Sequence, residues 1–269
     1  MRRARAYAAA VVGVVRRDFV IYTSYRLRFL SQIAAAVFGT AVFYYVSRLV
    51  TGGTFASPDA YFAYCVIGFA VLQVLTAALA VLPLTLRHEL VAGTFERALV
   101  SPLGAIPVLL AMAVVPFLAA LASATITILF AALVFGMPVE WSTAPLALPV
   151  SLLGALAFLP FAVVLTGTVF VLKQAGAAAG FIISALLVVG GVVYPVTVLP
   201  DWIEWTSDVQ PLTPAADLLR HLVSGTPIDS TWQATGRLVL FAAVFLPPSI
   251  LFLRACLRLG QRRGTVLEY

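Results

Sequence analysis

Residues 60–86 read AYFAYCVIGFAVLQVLTAALAVLPLTL and contain no charged side chain. The hydrocarbon core of a bilayer is about 30 Å thick, and a helix that rises 1.5 Å per residue crosses it with about 20 apolar residues. The stretch shows no alternation of apolar and polar residues, which favours a helix over a strand. It is therefore predicted to cross a membrane as one α-helix.

Similar apolar runs recur along the chain, and its composition explains why. Of the 269 residues, 62% are hydrophobic and 10% are charged, whereas an ordinary soluble domain carries about 25% charged residues. Such a chain has too little polar surface to face water, so we predict an all-α, polytopic membrane protein. Six transmembrane helices are expected, at about residues 29–50, 60–86, 103–135, 144–172, 175–194 and 238–253.

The N-terminal segment, residues 1–28, has a different pattern. Its apolar side chains recur at helical spacing, at Val12, Val15, Phe19 and Tyr22. Charged residues interrupt this helix before it could span a bilayer. We predict an amphipathic helix that lies on the membrane surface, and the residues assigned to this interfacial site are Arg16, Arg17, Asp18 and Phe19. A frayed basic tail is the alternative.

The basic residues indicate the orientation of the spans. With six spans, fourteen of the 17 lysine and arginine residues fall on the side of the two termini, and Arg48, Arg220 and Arg237 fall on the other. Basic residues are retained in the cytoplasm. Both termini are therefore expected to be cytoplasmic. The net charge of +6 is explained by this orientation, and we expect no nucleic-acid partner.

Residues 196–225, between spans five and six, are predicted to form two short extracellular, re-entrant helices. Residues 199–205 suggest the first helix, with acidic residues at its positive end. Thr213 and Pro214 can start the second helix, and Gly225 can end it. These helices would dip into the outer leaflet and bury four leucines: Leu212, Leu218, Leu219 and Leu222. A solvated loop is the alternative.

The polar side chains inside the spans are hydroxyls and amides. We take five residues as a candidate substrate path: Gln32, Tyr44, Tyr45, Gln73 and Thr76. Hydrogen bonds that only pack helices together are the alternative explanation for such residues. The spans carry no carboxylate that would couple transport to protons or sodium.

Several kinds of catalytic chemistry are not indicated by the sequence. A phosphate-binding loop needs Gly-x-x-x-x-Gly-Lys-Ser/Thr, and the only lysine, Lys173, lies in the sequence Val-Leu-Lys-Gln. No His, Cys and Asp residues have the spacing of a metal site, so no catalytic residue, metal or cofactor is assigned to this chain. A membrane enzyme that uses outer residues remains an alternative, with the candidates Asp201, Glu204, Asp208 and His221.

Residues 87–103, RHELVAGTFERALVSPL, follow the second span directly. Gly93 can break the helix, and Thr94 can cap the next turn with Glu96 near its start. We predict that residues 87–100 form a rigid cytoplasmic projection, which we call the knob. A plain connecting loop is the alternative.

The knob resembles the Gly-Thr-x-Glu element, followed by Ser-Pro-Leu, of ABC-2 exporter permeases. Three other features of that family occur in the same order along the chain. The first is the basic interfacial helix. The second is the pair of elements Leu199-Pro200-x-Trp202 and 211–214, which lead to Asp217-Leu218-Leu219-Arg220, and the third is the tail Arg262-Arg263-Gly264-Thr265. The resemblance implies a transmembrane domain at 29–257, a cytoplasmic tail at 258–269 and a location in the bacterial cytoplasmic membrane.

The resemblance also implies partners and a function. The chain would be the permease subunit of an ATP-driven exporter, joined by a second permease chain, identical or different, and by two cytoplasmic ATPase subunits that hold ATP and magnesium. The cargo would be amphipathic or lipid-linked: a glycolipid or polysaccharide, a lipid or a drug. The residues expected to contact the ATPase are Arg87, His88, Glu89, Gly93, Thr94, Glu96 and Arg97. The alternatives are a membrane enzyme, an assembly subunit without transport activity, and an ion channel, for which the sequence shows neither a charge ring nor a filter.

Overall fold

The structure is a computed structural model that describes residues 2–24, 26–49, 55–95, 104–172, 176–228 and 230–263. Within these ranges it contains nine α-helices and no strand, so the predicted all-α class is confirmed. The helices are α1 (Arg2–Ser24), α2 (Arg26–Leu49), α3 (Pro58–Val91), α4 (Ala105–Phe135), α5 (Ala147–Leu172), α6 (Gly176–Val189), α7 (Asp201–Val209), α8 (Leu212–Ser224) and α9 (Thr231–Arg263). Single 3₁₀ turns occur at Ala144–Leu146 and Val196–Val198.

Four of the described helices are long and apolar enough to cross a membrane. They cover Pro58–Val91, Ile106–Phe135, Ala144–Val169 and Thr231–Gly260. Two further apolar helices are shorter, at Ile33–Leu49 and Ala179–Val189. The 14 residues of α6 give a length of about 21 Å, less than the thickness of a bilayer core. The chain is thus a multi-pass membrane protein, and the count of six spans stays a prediction.

Helix α3 is the central element of the bundle. Ser57 caps its first turn by accepting a hydrogen bond from the Ala60 amide at 3.1 Å, and Pro58 occupies the first helical position. The helix packs against α2, α4, α5, α6 and α8. Its apolar window is 56% buried within the protein, whereas the windows of α4 and α9 are 17% buried. Helices α4 and α9 therefore leave most of their apolar surface to lipid or to another protein chain.

The buried side chains form two main clusters along α3. The larger cluster surrounds the Pro58 end and joins α3 to α5, α8 and α9; its largest buried members are Phe62, Ile67, Leu79, Phe158, Leu212, Leu218 and Leu238. The second cluster surrounds the Val91 end and includes Leu86, Phe95, Val108, Val163 and Cys256. One helix thus connects two separately packed ends of the molecule.

The segment after α6 contains the two short helices that the sequence predicted. The chain leaves α6 at Gly190 and Gly191, which has a φ of +64°, and α8 ends at Gly225 with a φ of +69°. The predicted leucines of α8 are buried, but they pack against α3, α5 and α9 of this chain. Three tryptophans remain exposed, at Trp202, Trp205 and Trp232.

Helix α1 packs mainly on α4. Val11 and Val14 contact the second cluster, whereas Val12 and Phe19, two members of the predicted apolar stripe, are exposed. Val15 and Tyr22 are partly buried, so the protein leaves part of this stripe uncovered.

We expect Gly68→Ala to destabilise the fold because α3 meets the segment after α6 at this residue. A Cβ at Gly68 would lie 2.2 Å from the Val192 carbonyl oxygen and 2.9 Å from Nη2 of Arg220. The backbone would have to shift, at a cost of about 1–3 kcal/mol. Thermal unfolding of the detergent-purified chain measures this effect.

Gly180→Ala is the matched control, since a Cβ at Gly180 has nothing within 4 Å. This variant should be as stable as the original or more stable by about 0.5–1 kcal/mol, as is usual for a glycine replaced inside a helix. Equal unfolding temperatures for the two variants would contradict the close approach at Gly68.

Candidate functional site

The knob begins where α3 ends. The Ala92 amide donates to the His88 carbonyl at 2.9 Å, and the Gly93 amide donates to the Leu90 carbonyl at 3.1 Å. Gly93 has a φ of +65°, a left-handed conformation that glycine adopts without strain. The predicted break in the helix is therefore present, and the sequence cue for it was the glycine itself.

The residues after Gly93 turn back onto the helix. The Thr94 amide donates to the Glu89 carbonyl at 3.0 Å, and the Thr94 hydroxyl donates to the Glu89 carboxylate. Phe95 is 2% exposed and belongs to the second cluster. The described part of the knob is thus held by a hydrogen-bonded turn on one side and by a buried aromatic ring on the other. Glu96 and Arg97, and the forward cap expected with Glu96, lie outside the described residues.

A cavity of about 400 Å³ lies between the knob and α1; we call it the charged cavity. Arg17 and Asp18 line it from α1, and His88 and Glu89 line it from α3. Nε of Arg17 donates to the Asp18 carboxylate at 2.8 Å. Two groups of residues that the sequence assigned separately, to the interfacial helix and to the ATPase contact, therefore share one cavity. Three other members of these groups, Arg16, Phe19 and Arg87, are exposed.

A second cavity of about 400 Å³, the amide cavity, lies between α2, α3 and α4. Gln73 and Thr76, from the candidate substrate path, line it together with Ser123. Nε2 of Gln73 donates to the Thr127 hydroxyl at 3.1 Å, and the Ser123 hydroxyl donates to Oε1 of Gln73 at 2.8 Å. Gln73 thus joins α3 to α4 and also presents a polar wall to the cavity.

The other candidate path residues lie elsewhere. The Tyr44 ring packs on Phe135 with centroids 4.5 Å apart and on Phe62 at 5.5 Å. The Arg48 guanidinium lies 4.8 Å from the centroid of the same ring. Tyr45 is 67% exposed, and the side chain of Gln32 lies outside the described residues. Among these five residues, the structure therefore brings Gln73 and Thr76 together at one cavity.

Sequence reasoning did not single out Arg220, which is 3% exposed. Its Nη2 donates to the Gly191 carbonyl at 2.7 Å and to the Val192 carbonyl at 3.2 Å. The guanidinium carbon lies 3.4 Å from the centroid of the Tyr64 ring. The Tyr64 hydroxyl donates to the same Gly191 carbonyl at 2.8 Å. These contacts join α3, the segment after α6, and α8; we call them the arginine pin.

The charge of the pin is balanced by one acidic neighbour. Nη1 of Arg220 lies 3.3 Å from the Asp217 carboxylate one turn earlier on α8. Burial lowers the pKa of the Arg220 guanidinium, and Tyr64 and Asp217 oppose this shift. An arginine keeps its charge in proteins, so the buried cation depends on the carbonyls and the carboxylate around it.

The outer acidic residues of the enzyme alternative are engaged in local contacts. Asp208 pairs with Arg237 at 3.6 Å, and Nδ1 of His221 lies 2.9 Å from the Thr226 carbonyl. Asp201 and Glu204 lie in the first turn of α7, where acidic side chains stabilise a helix. In the part of the chain that the structure describes, no three His, Cys, Asp or Glu residues are placed to hold a metal ion.

Comparison with known proteins gives two findings. A family model described as ABC-2 type transporter matches residues 11–223, a range that includes most of α1, the knob and the arginine pin. Nodulation protein J of Rhizobium leguminosarum bv. trifolii is 31% identical over 140 residues, which cover 49% of this chain and 50% of that protein. The chain therefore spans about half the length of this curated relative.

We expect Arg220→Met to weaken the fold strongly. The substitution leaves the Val192 carbonyl without its donor and removes the cation from Asp217, at a cost of about 2–4 kcal/mol. Arg237→Met is the matched control, because the pair of Arg237 with Asp208 is exposed and such pairs contribute about 0–1 kcal/mol. The temperature at which half of the purified protein aggregates measures both changes. Equal temperatures for the two variants would show that the pin does not hold α8.

Proposed function

Because this chain belongs to the ABC-2 type transporter family, we propose that it is the permease subunit of an ATP-driven exporter. The observation that carries the proposal is the family match over residues 11–223. The proposed cargo is amphipathic or lipid-linked: a glycolipid or polysaccharide, a lipid or a drug. The charged cavity and the amide cavity support this class of cargo, because they place polar groups between helices whose other faces are apolar.

ATP hydrolysis is assigned to separate subunits. The family is a transporter family, and this sequence contains no phosphate-binding loop. We propose that two cytoplasmic ATPase subunits hold ATP and magnesium and that a second permease chain, identical or different, completes the complex. The mostly uncovered apolar surfaces of α4 and α9 leave room for a second chain.

The proposed topology has six spans, with α2 and α6 completing the four long helices. Helix α6 is short because the chain unwinds at Gly190 and Gly191, and the helices α7 and α8 would then occupy the outer part of the membrane. Fourteen of the 17 basic residues lie on the side of the termini, which supports cytoplasmic termini and a cytoplasmic knob. The proposed location is the bacterial cytoplasmic membrane.

The proposed mechanism uses α3 as the connecting element. Closure of the ATPase subunits would push the knob, and the buried Phe95 ring would pass that movement to the second cluster. Helix α3 has 34 residues and is about 50 Å long, so its far end lies at Tyr64 and the arginine pin. Pro83 lies inside the helix and marks the place where it can bend. Movement at the knob would thereby change the packing of the outer helices.

Co-purification tests the composition of the complex. We expect the tagged chain, extracted from its native membrane, to bring with it ATPase subunits and a second permease chain, identified by mass analysis of every subunit. The chain purified away from those subunits should hydrolyse no ATP, because it has no phosphate loop. A complex without any ATPase would favour an assembly subunit instead.

Glu89→Gln tests whether the knob couples ATP use to the permease. Glutamine keeps an oxygen that can accept the Thr94 hydroxyl bond but removes the charge available to an ATPase. We expect ATP hydrolysis by the reconstituted complex to fall about tenfold, as when a charged hydrogen bond is lost, with normal permease abundance.

Glu140→Gln is the matched control for this variant. Glu140 also accepts a hydrogen bond from a nearby hydroxyl, that of Ser142 at 2.7 Å. It lies far from the knob, because it follows the C-terminal end of α4 whereas the knob precedes the N-terminal end. It should leave ATP hydrolysis unchanged. Full hydrolysis by the Glu89→Gln complex would eliminate Glu89 as a coupling contact.

A further inference from the structure

Three cavities meet at Tyr22 of α1. The charged cavity and the amide cavity share Tyr22, Val81 and Pro116 as lining residues. A third cavity of about 580 Å³, which we call the apolar chamber, shares Tyr22 and Val115 with the charged cavity. The three cavities are therefore neighbours around the Tyr22 side chain, between α1, α2, α3 and α4, and we call them together the groove.

The walls of the groove separate polar and apolar chemistry. Arg17, Asp18 and Glu89 line the charged cavity, whereas the chamber is lined mostly by apolar side chains, among them Phe19 and Leu118. On α4 the chamber extends from Val115 to Ala122, seven residues or about 10 Å further along the helix. Its volume lies within the range of small-molecule sites. One end thus suits a polar head, and the chamber suits a hydrocarbon chain.

The charged side chains of this cavity limit the kind of head group that a bound amphiphile can have. Arg17 supplies one positive charge, while Asp18 and Glu89 supply two negative charges. A purely anionic head would meet a net negative wall. A head that carries both a phosphate and an amine complements it, because Arg17 can bind the phosphate and the carboxylates can bind the ammonium.

We propose that this groove binds a zwitterionic amphiphile with a primary amine, such as phosphatidylethanolamine. Its head lies between Arg17 and Glu89, and one of its chains lies in the apolar chamber. The amide cavity, with Gln73 and Thr76, is the next polar site deeper along α3. The inference rests on the proposed function only for the direction of movement through these cavities; binding itself does not require transport.

The test measures lipid binding by the full purified chain. Native mass spectrometry would compare phosphatidylethanolamine, phosphatidylcholine and phosphatidylglycerol with identical acyl chains. We expect phosphatidylethanolamine to bind about tenfold more tightly than phosphatidylglycerol, the size of effect that one charged hydrogen bond gives. Equal or tighter binding of phosphatidylglycerol would overturn the proposal, and this comparison needs no variant.

Two pairs of variants locate the site. Ala119→Phe fills the chamber and should lower phosphatidylethanolamine binding about tenfold, whereas Leu133→Phe changes an exposed residue on the same helix and should not. Arg17→Gln should lower binding about tenfold, whereas Arg254→Gln, which changes an exposed arginine that lines none of the three cavities, should not. Equal binding by both members of either pair would overturn the proposal. So would full competition by glycerophosphoethanolamine, which has the head without the chains.

The experiments distinguish failure of this binding site from failure of the proposed function. Lipid preference without co-purified ATPase would retain the site and reject the exporter. An ATPase complex without the expected lipid preference would retain the exporter and reject the site. A protein segment in the groove, from an ATPase subunit or another copy of this chain, would exclude lipid from the assembled complex and would also overturn the proposal.

Discussion

The arginine pin determines how the chain can fold around the Pro58 end of α3. Helix α6 has only 14 residues, and the chain then leaves helical geometry at Gly190 and Gly191. In an apolar environment the carbonyls freed by this unwinding need donors from within the protein. Arg220 and the Tyr64 hydroxyl supply these donors to Gly191, and Arg220 also bonds to Val192. Without these donors, the carbonyls after the end of α6 would lack hydrogen bonds, and α8 would lose its polar contacts with α3.

A glycine of α3 also makes this close packing possible. Gly68 brings the backbone of α3 so close to the Val192 carbonyl that a Cβ would lie 2.2 Å from that oxygen. Tyr64 lies one turn before Gly68 on α3, and its ring covers the Arg220 guanidinium. A small residue and an aromatic residue on one face of α3 therefore create a place where a charged side chain can be buried, and the rest of α8 is buried by apolar contacts.

Much of the fold was predictable because helix formation and burial have local signals. Gly93 and Gly225 ended helices as predicted, and the apolar side of α8 was evident from the spacing of its leucines. Arg220 was not predictable in this way. A charged residue in a hydropathy pattern predicts exposure to water, and the actual partners of Arg220, Tyr64 and Gly191, are distant in sequence. The packing of Tyr44 on Phe135 was not predictable either, because Phe135 lies on another helix. The end of α6 was predicted too late because residues 175–194 contain no charged side chain, and hydropathy does not show where a helix unwinds.

The two ends of α3 are held by different kinds of contact, and this difference suits the proposed mechanism. At the Pro58 end, Gly68 and the arginine pin hold α3 against the Val192 carbonyl. At the Val91 end, the knob is held by Phe95 and by a turn around Glu89, and cavities separate it from α1. Glu89 belongs to both the turn and the wall of the charged cavity. A ligand that attracts this carboxylate would compete with the Thr94 hydroxyl, so occupation of the cavity would be energetically linked to the conformation of the knob through one side chain. In an exporter, such a link would let the ATPase sense whether the permease is loaded.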